Sequence, residues 1–230
     1  MSDKKKSWKD GIAEALPLAI AIGAYGLSYG VLAVQAHFSW ISAVAMSMFV
    51  FSGSVQLITV AMLTSGASVG SVFVTATLLN LRNLLYGAAL AEGIAPAKKW
   101  RWLLSFGVSD EPFVLGSSRF KKYGPDPLYF AVVAGTFYFV WVVSSLVGSL
   151  MSNQADPQKW GLDLAFPVTF AALLIPGIRE KPAVATALAA VFIALGLEAW
   201  QPGNEWTIIV TGMVAPFAGL YWSRGAQQHA

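Results

Sequence analysis

Cysteine is absent from the 230-residue chain, which excludes disulfides and thiol chemistry. Histidine occurs twice, at His37 and His229, far too sparsely for a histidine metal cluster, and neither a metal nor a cofactor is expected. Charge is scarce as well: 12% of residues are Asp, Glu, Lys or Arg, against about 25% in a soluble domain. A soluble helical protein needs a charged face on most of its helices, and no such periodic face is visible here. No Walker-type loop is present, so ATP hydrolysis by the chain itself is not expected. The net charge of +3 sits at the ends of apolar runs and is no sign of nucleic-acid binding.

What the chain has in abundance is apolar sequence, 56% of the total, with 9 tryptophans and 14 phenylalanines. The fold class expected is an all-α polytopic integral membrane protein, because a bilayer core demands apolar spans of about 20 residues. Eight candidate spans are 13–34, 40–62, 69–91, 101–118, 128–150, 163–179, 183–200 and 206–222. Seven is the alternative count, because 101–118 is short and carries Asp110, Glu111 and Pro112. Connections are short, so residues 1–230 read as one transmembrane domain. Residues 1–12 form a basic segment and 223–230 a short tail. The apolar run after MSDKKKSWKDG is too long for a signal peptide and lacks a clear cleavage site, so it is expected to stay as the first span.

Tryptophans mark the proposed ends: Trp8, Trp40, Trp100, Trp102, Trp160, Trp200, Trp206 and Trp222 lie at or near them, and only Trp141 lies well inside a span. Lys4, Lys5, Lys6 and Lys9 place the N-terminus in the cytoplasm. Arg119, Lys121, Lys122, Arg179, Lys181 and Arg224 then fall on the same side, while Lys98, Lys99 and Arg101 fall opposite. Multi-pass insertion in the cytoplasmic membrane is the resulting expectation. Pro17, Pro112, Pro167, Pro176 and Pro216 interrupt spans. In lipid such interruptions survive where protein or a cavity surrounds them, so they suggest broken helices of the kind transporters use.

The polar residues inside these spans point to function. In TLLNLRNLLYG, residues 77–87, a helical wheel gathers Asn80, Arg82, Asn83, Tyr86 and Gly87 in one broad sector. That sector should face the protein interior or a water-filled cavity. Arg82 sits roughly 13 Å deep, at the depth of Asp110 and Glu111 in the following antiparallel span. One reading is a structural ion pair. The other is that Arg82 meets a substrate carboxylate, or that an acid carries a coupling proton. Glu14, three residues before Pro17, is either a helix-end charge or a third member of that set. Asp163 reads as an N-cap. In FSGSVQL, Ser52, Gly53, Ser54 and Gln56 form a small polar patch that either lets helices approach or leaves room for a solute. Phe49, Phe51 and Leu57 are the expected apolar lining beside it. Gly23, Gly26 and Gly30 give the first span a smooth packing face.

Five blocks, in order, carry a resemblance: DGIAEALPLAIAIGAYGLSYG, MFVFSGSVQL, LLNLRNLLYG, SDEPFVL and GLDLAFPVTFAALL. They resemble the AzlC/YgaZ family over nearly the whole chain. The resemblance implies the large subunit of an exporter of valine, leucine, isoleucine or methionine. It also implies a small hydrophobic AzlD-like membrane partner. The matching motif positions are Gly53, Ser54 and Gln56, then Asn80, Arg82 and Asn83, then Asp110 and Glu111, then Asp163. Members commonly carry a titratable NLRH where this chain has Asn83, which shifts the expected proton carrier to Asp110 or Glu111. Coupling to a proton gradient is expected. The rival readings are a transporter of another small organic solute, an uncoupled pore, and an intramembrane enzyme, the last unsupported by any nucleophile or metal spacing.

Overall fold

The computed structural model describes residues 7–153, 159, 178, 181–202 and 206–227, and every element among them is helical. In chain order these are α1 (Ser7–Gln35), α2 (Trp40–Phe49), α3 (Gly53–Thr64) and α4 (Val69–Ile94). A 3-10 segment, Ala95–Trp100, leads into α5 (Arg101–Phe106) and α6 (Asp110–Tyr123). Then come α7 (Pro127–Met151), α8 (Lys181–Trp200) and α9 (Trp206–Gln227). The sixth candidate span, with Asp163, Pro167 and Pro176, lies outside the described residues.

Three of these helices, α1, α7 and α8, are long and apolar enough to cross a membrane. The second and fourth candidate spans are not continuous. Each is split into two half-helices, at 50–52 and at 107–109. The interruptions are not at proline. Pro17 and Pro216 lie inside unbroken α1 and α9, and Pro112 is the third residue of α6. In that first turn its missing N–H has no intrahelical partner to lose. The first break instead turns on Phe51, whose φ of 44° is a strained left-handed value for a bulky residue. The second falls on Gly107, Val108 and Ser109.

The two breaks meet. Phe51 from the first stacks on Phe106 at the edge of the second, with ring centroids 6.0 Å apart, and Tyr138 of α7 packs edge-on to both. Behind them α1 and α7 form a tight seam, the most extensive helix pairing among the described residues. A Cβ added at Gly30 would stand 2.2 Å from the Ser145 carbonyl oxygen, and one at Gly148 only 2.1 Å from that of Leu27. The glycine face expected of the first span is therefore used for close backbone approach. Tyr29, Tyr129, Val133, Phe137 and Trp141 fill the core along this seam. Helices α8 and α9 pack on each other, and α9 also touches α4.

At the far end of α6 a second polar centre ties three helices together. The guanidinium of Arg119, 8% exposed, lies 3.2 Å from Asp10 on α1 and 3.2 Å from Asp126 before α7. It also lies over the rings of Tyr123 and Tyr129. Asp126 accepts a hydrogen bond from Ser7 Oγ and caps α7 by accepting from the Tyr129 amide.

Candidate functional site

The polar sector expected on TLLNLRNLLYG is present on α4. Asn80, Arg82, Asn83 and Tyr86 are half-buried, while Leu84 and Leu85 are 70% and 72% exposed on the outer face. Their polarity turns inward because lipid offers a guanidinium nothing to bond with. The sector meets the two helix breaks at a cavity lined by Ser52, Gly53 and Ser54 from the first and by Ser109, Asp110 and Glu111 from the second. Arg82 and Asn83 of α4 close one side. Ile22, Tyr25, Phe51, Phe137 and Trp141 make the apolar wall. About 40 Å³ is open to the centres of water-sized spheres, room for about three waters at 10–15 Å³ each.

Arg82 organises the charges. Its Nη2 lies 2.9 Å from Asp110 Oδ2 and donates to Ser54 Oγ at 2.6 Å. Nε is buried with no hydrogen-bond partner among the described residues, so the guanidinium fork is engaged through one nitrogen only. Asp110 also accepts from the Tyr86 hydroxyl at 3.1 Å, and Tyr86 is held flat on Phe113, 4.2 Å between centroids. Glu111, next along α6, is half-buried and has no ion-pair partner among the described residues.

The helix starts at this cavity differ from those of α2, α4 and α7. Ser39, Ser68 and Asp126 cap α2, α4 and α7 with side-chain hydrogen bonds. Ser52 and Ser109, ahead of α3 and α6, make no such bond. Ser52 Oγ donates to Asn80 Oδ1 instead. Gly53 and Ser54 at the start of α3, and Asp110 and Glu111 at the start of α6, line the cavity, where the positive ends of the helix dipoles favour negative charge.

Of the expected site residues, Gly53, Ser54, Arg82, Asn83, Asp110 and Glu111 come together on the cavity. Asn80 stands one turn back, its Oδ1 accepting from Ser52 and from Asn83 Nδ2. Gln56 lies behind the wall. It is 0% exposed, its Oε1 accepts from the Trp141 indole and its Nε2 donates to Ser47. Ser47 in turn donates to Ser145. Glu14 is not with the other acids; it accepts from the Tyr129 hydroxyl beside the Arg119 centre. The expected apolar lining holds only at Phe51, since Phe49 faces outward and Leu57 belongs to the core. Sequence reasoning missed Tyr25, Phe137, Ser109 and Trp141 as wall residues. For Trp141 a signal existed, as the tryptophan set well inside a span.

The fold and the cavity together define a helical membrane protein with a charged chamber between broken helices, the construction found in solute carriers. The chain belongs to the AzlC family: the AzlC protein family model matches residues 17–154. It is 22% identical to the inner membrane protein YgaZ of Escherichia coli over 94% of this chain and 92% of that one. It is likewise 22% identical to the branched-chain amino acid transport protein AzlC of Bacillus subtilis, over 90% of this chain and 84% of that one. An uncharacterized membrane protein of Helicobacter pylori is 24% identical over 79% of this chain and 80% of its own. No solved structure matches the chain.

Proposed function

We propose that the protein is a secondary transporter that exports the branched-chain amino acids valine, leucine and isoleucine, with methionine as a further substrate, across the cytoplasmic membrane. The observation that carries this reading is the cavity itself. It sets one cation, two acids and two uncapped helix starts against an aromatic and aliphatic wall, the complement of a zwitterion with an apolar side chain. The family relationship to a branched-chain amino acid transport protein supports the substrate class. An apolar wall separates aliphatic side chains by only about 1–3 kcal/mol per methylene, so several related substrates share the site.

In this reading residues 1–230 form one transport unit of about eight membrane segments, with residues 1–12 and 223–230 in the cytoplasm. Two of the segments are broken. Arg82, with Ser54, Gly53 and Asn83, receives the substrate's polar end. Glu111 is the acid of choice for a coupled proton, because Asp110 is already held by Arg82 and Tyr86. Gln56 acts from behind by fixing Trp141. The cavity holds too little space for leucine in this conformation, so loading requires the half-helices to part, as alternating access demands. A small AzlD-like subunit completes the transporter.

Valine efflux from preloaded proteoliposomes, with and without the small subunit and a pH gradient, tests this. Efflux should be selective for branched side chains and driven by the gradient, and Arg82→Ala should abolish it with protein abundance unchanged. Gradient-independent flux of unrelated solutes would point to the pore reading instead.

A further inference from the structure

The cavity contains its own carboxylate. Asp110 reaches Arg82 through one guanidinium nitrogen, leaving Nε buried and unused. An incoming carboxylate can do better than Asp110, because the guanidinium fork can donate two parallel hydrogen bonds to one carboxylate. Displacing Asp110 has a consequence, however. Its charge is then left in a mostly enclosed site beside Glu111, with the Tyr86 hydroxyl and the start of α6 but no cation to pair with. A ligand bringing a carboxylate alone creates that unpaired charge, and one bringing an ammonium alone leaves Asp110 on Arg82 and finds only Glu111. A ligand carrying both satisfies both.

We infer that the Arg82–Asp110 pair is an internal stand-in for the substrate, exchanged on binding so that Arg82 takes the α-carboxylate and Asp110 the α-ammonium. Asp110 is thereby a specificity-determining residue. It rejects the 2-oxo acid with the same carbon skeleton as the substrate, by leaving a half-buried charge unpaired when that acid enters. The inference rests on the transport reading above for its location, but it concerns the backbone end of the ligand and not the side chain.

The test is ligand-induced thermal stabilisation of the purified full-length chain in lipid nanodiscs, with valine, leucine, alanine, 3-methyl-2-oxobutanoate and isobutylamine as probes. The wild-type chain should bind valine at least about 100-fold more tightly than the oxo acid, the scale expected for stranding a largely enclosed charge, and more tightly than the amine. Asp110→Asn should narrow the valine-to-oxo-acid ratio to below about tenfold by gaining the oxo acid. Arg82→Gln should lose the oxo acid in every background. Equal binding of valine and the oxo acid by the wild-type chain overturns the exchange without any variant, so a poorly folding Asp110→Asn does not shelter it. Loss of both ligands in a folded Asp110→Asn also overturns it. Selective binding of alanine over the branched amino acids, with the oxo acid still rejected, sinks the branched-chain reading and leaves the exchange standing. Stabilisation by none of the probes overturns both.

Discussion

Gln56 spends both ends of its amide in the interior, accepting from the Trp141 indole and donating to Ser47. Trp141 is gripped further by Tyr29, stacked 5.9 Å away, and by Tyr25, edge-on at 5.3 Å. Gln56→Leu should therefore leave the indole N–H without an acceptor and cost about 1–3 kcal/mol in detergent unfolding, with Trp141 fluorescence shifted. Gln56→Glu keeps an acceptor and should be milder in the fluorescence readout. Gly53 touches the same indole. A Cβ there would come within 2.7 Å of Trp141 and 2.9 Å of Tyr25, so Gly53→Ala should cut valine flux at least about tenfold while the protein stays in the membrane. At this scale the α4 stripe was readable beforehand, because a guanidinium in a leucine-rich helix has to turn away from lipid. Which acid answers Arg82 was not. Asp110 and Glu111 differ by about 100° around a helix, and their facing depends on where α6 begins, which follows from a break invisible to a hydropathy window.

Half-helices bring the polar residues to the cavity, and the break in the fourth span was expected at Pro112 because proline is the loudest helix breaker in a sequence. The actual interruptions fall at FSGS and FGVS, where small residues and serines let the chain turn without a proline. Of these, Phe51 is the least expected, since only burial against Phe106 and Tyr138 makes its positive φ tolerable. The two ends of helix α6 do different things. Its first turn carries Asp110 and Glu111 into the cavity, and its last turns carry Arg119 to Asp10 and Asp126. Arg119→Gln strands Asp126 and should cost about 3 kcal/mol, the low end for breaking a buried pair. Hydrogen exchange should then rise along α6 before it rises in α1. Asp10→Asn should cost less than about 1 kcal/mol, since Asp10 is partly solvated and Asp126 remains.

Across the whole molecule the seam of α1 and α7 stands apart from everything else. At Gly30 the atoms in the way of a Cβ are all backbone, the Ser145 oxygen at 2.2 Å and the Ser149 nitrogen at 2.7 Å. Gly30→Ala should cost about 1–3 kcal/mol in unfolding experiments. Gly135, also on α7 but with nothing near a Cβ, is the control: Gly135→Ala should be neutral or stabilise by up to about 1 kcal/mol. Glycines at 26 and 30 foretold a packing face, but not that its partner would be α7, more than a hundred residues away in sequence, because apolar pattern alone does not choose between neighbours. The seam has a mechanical meaning as well. On the transport reading proposed above, two helices meshed backbone to backbone serve as the stator, and the strokes that open and close the chamber fall to the parts hung from it, the short arms on either side of each break.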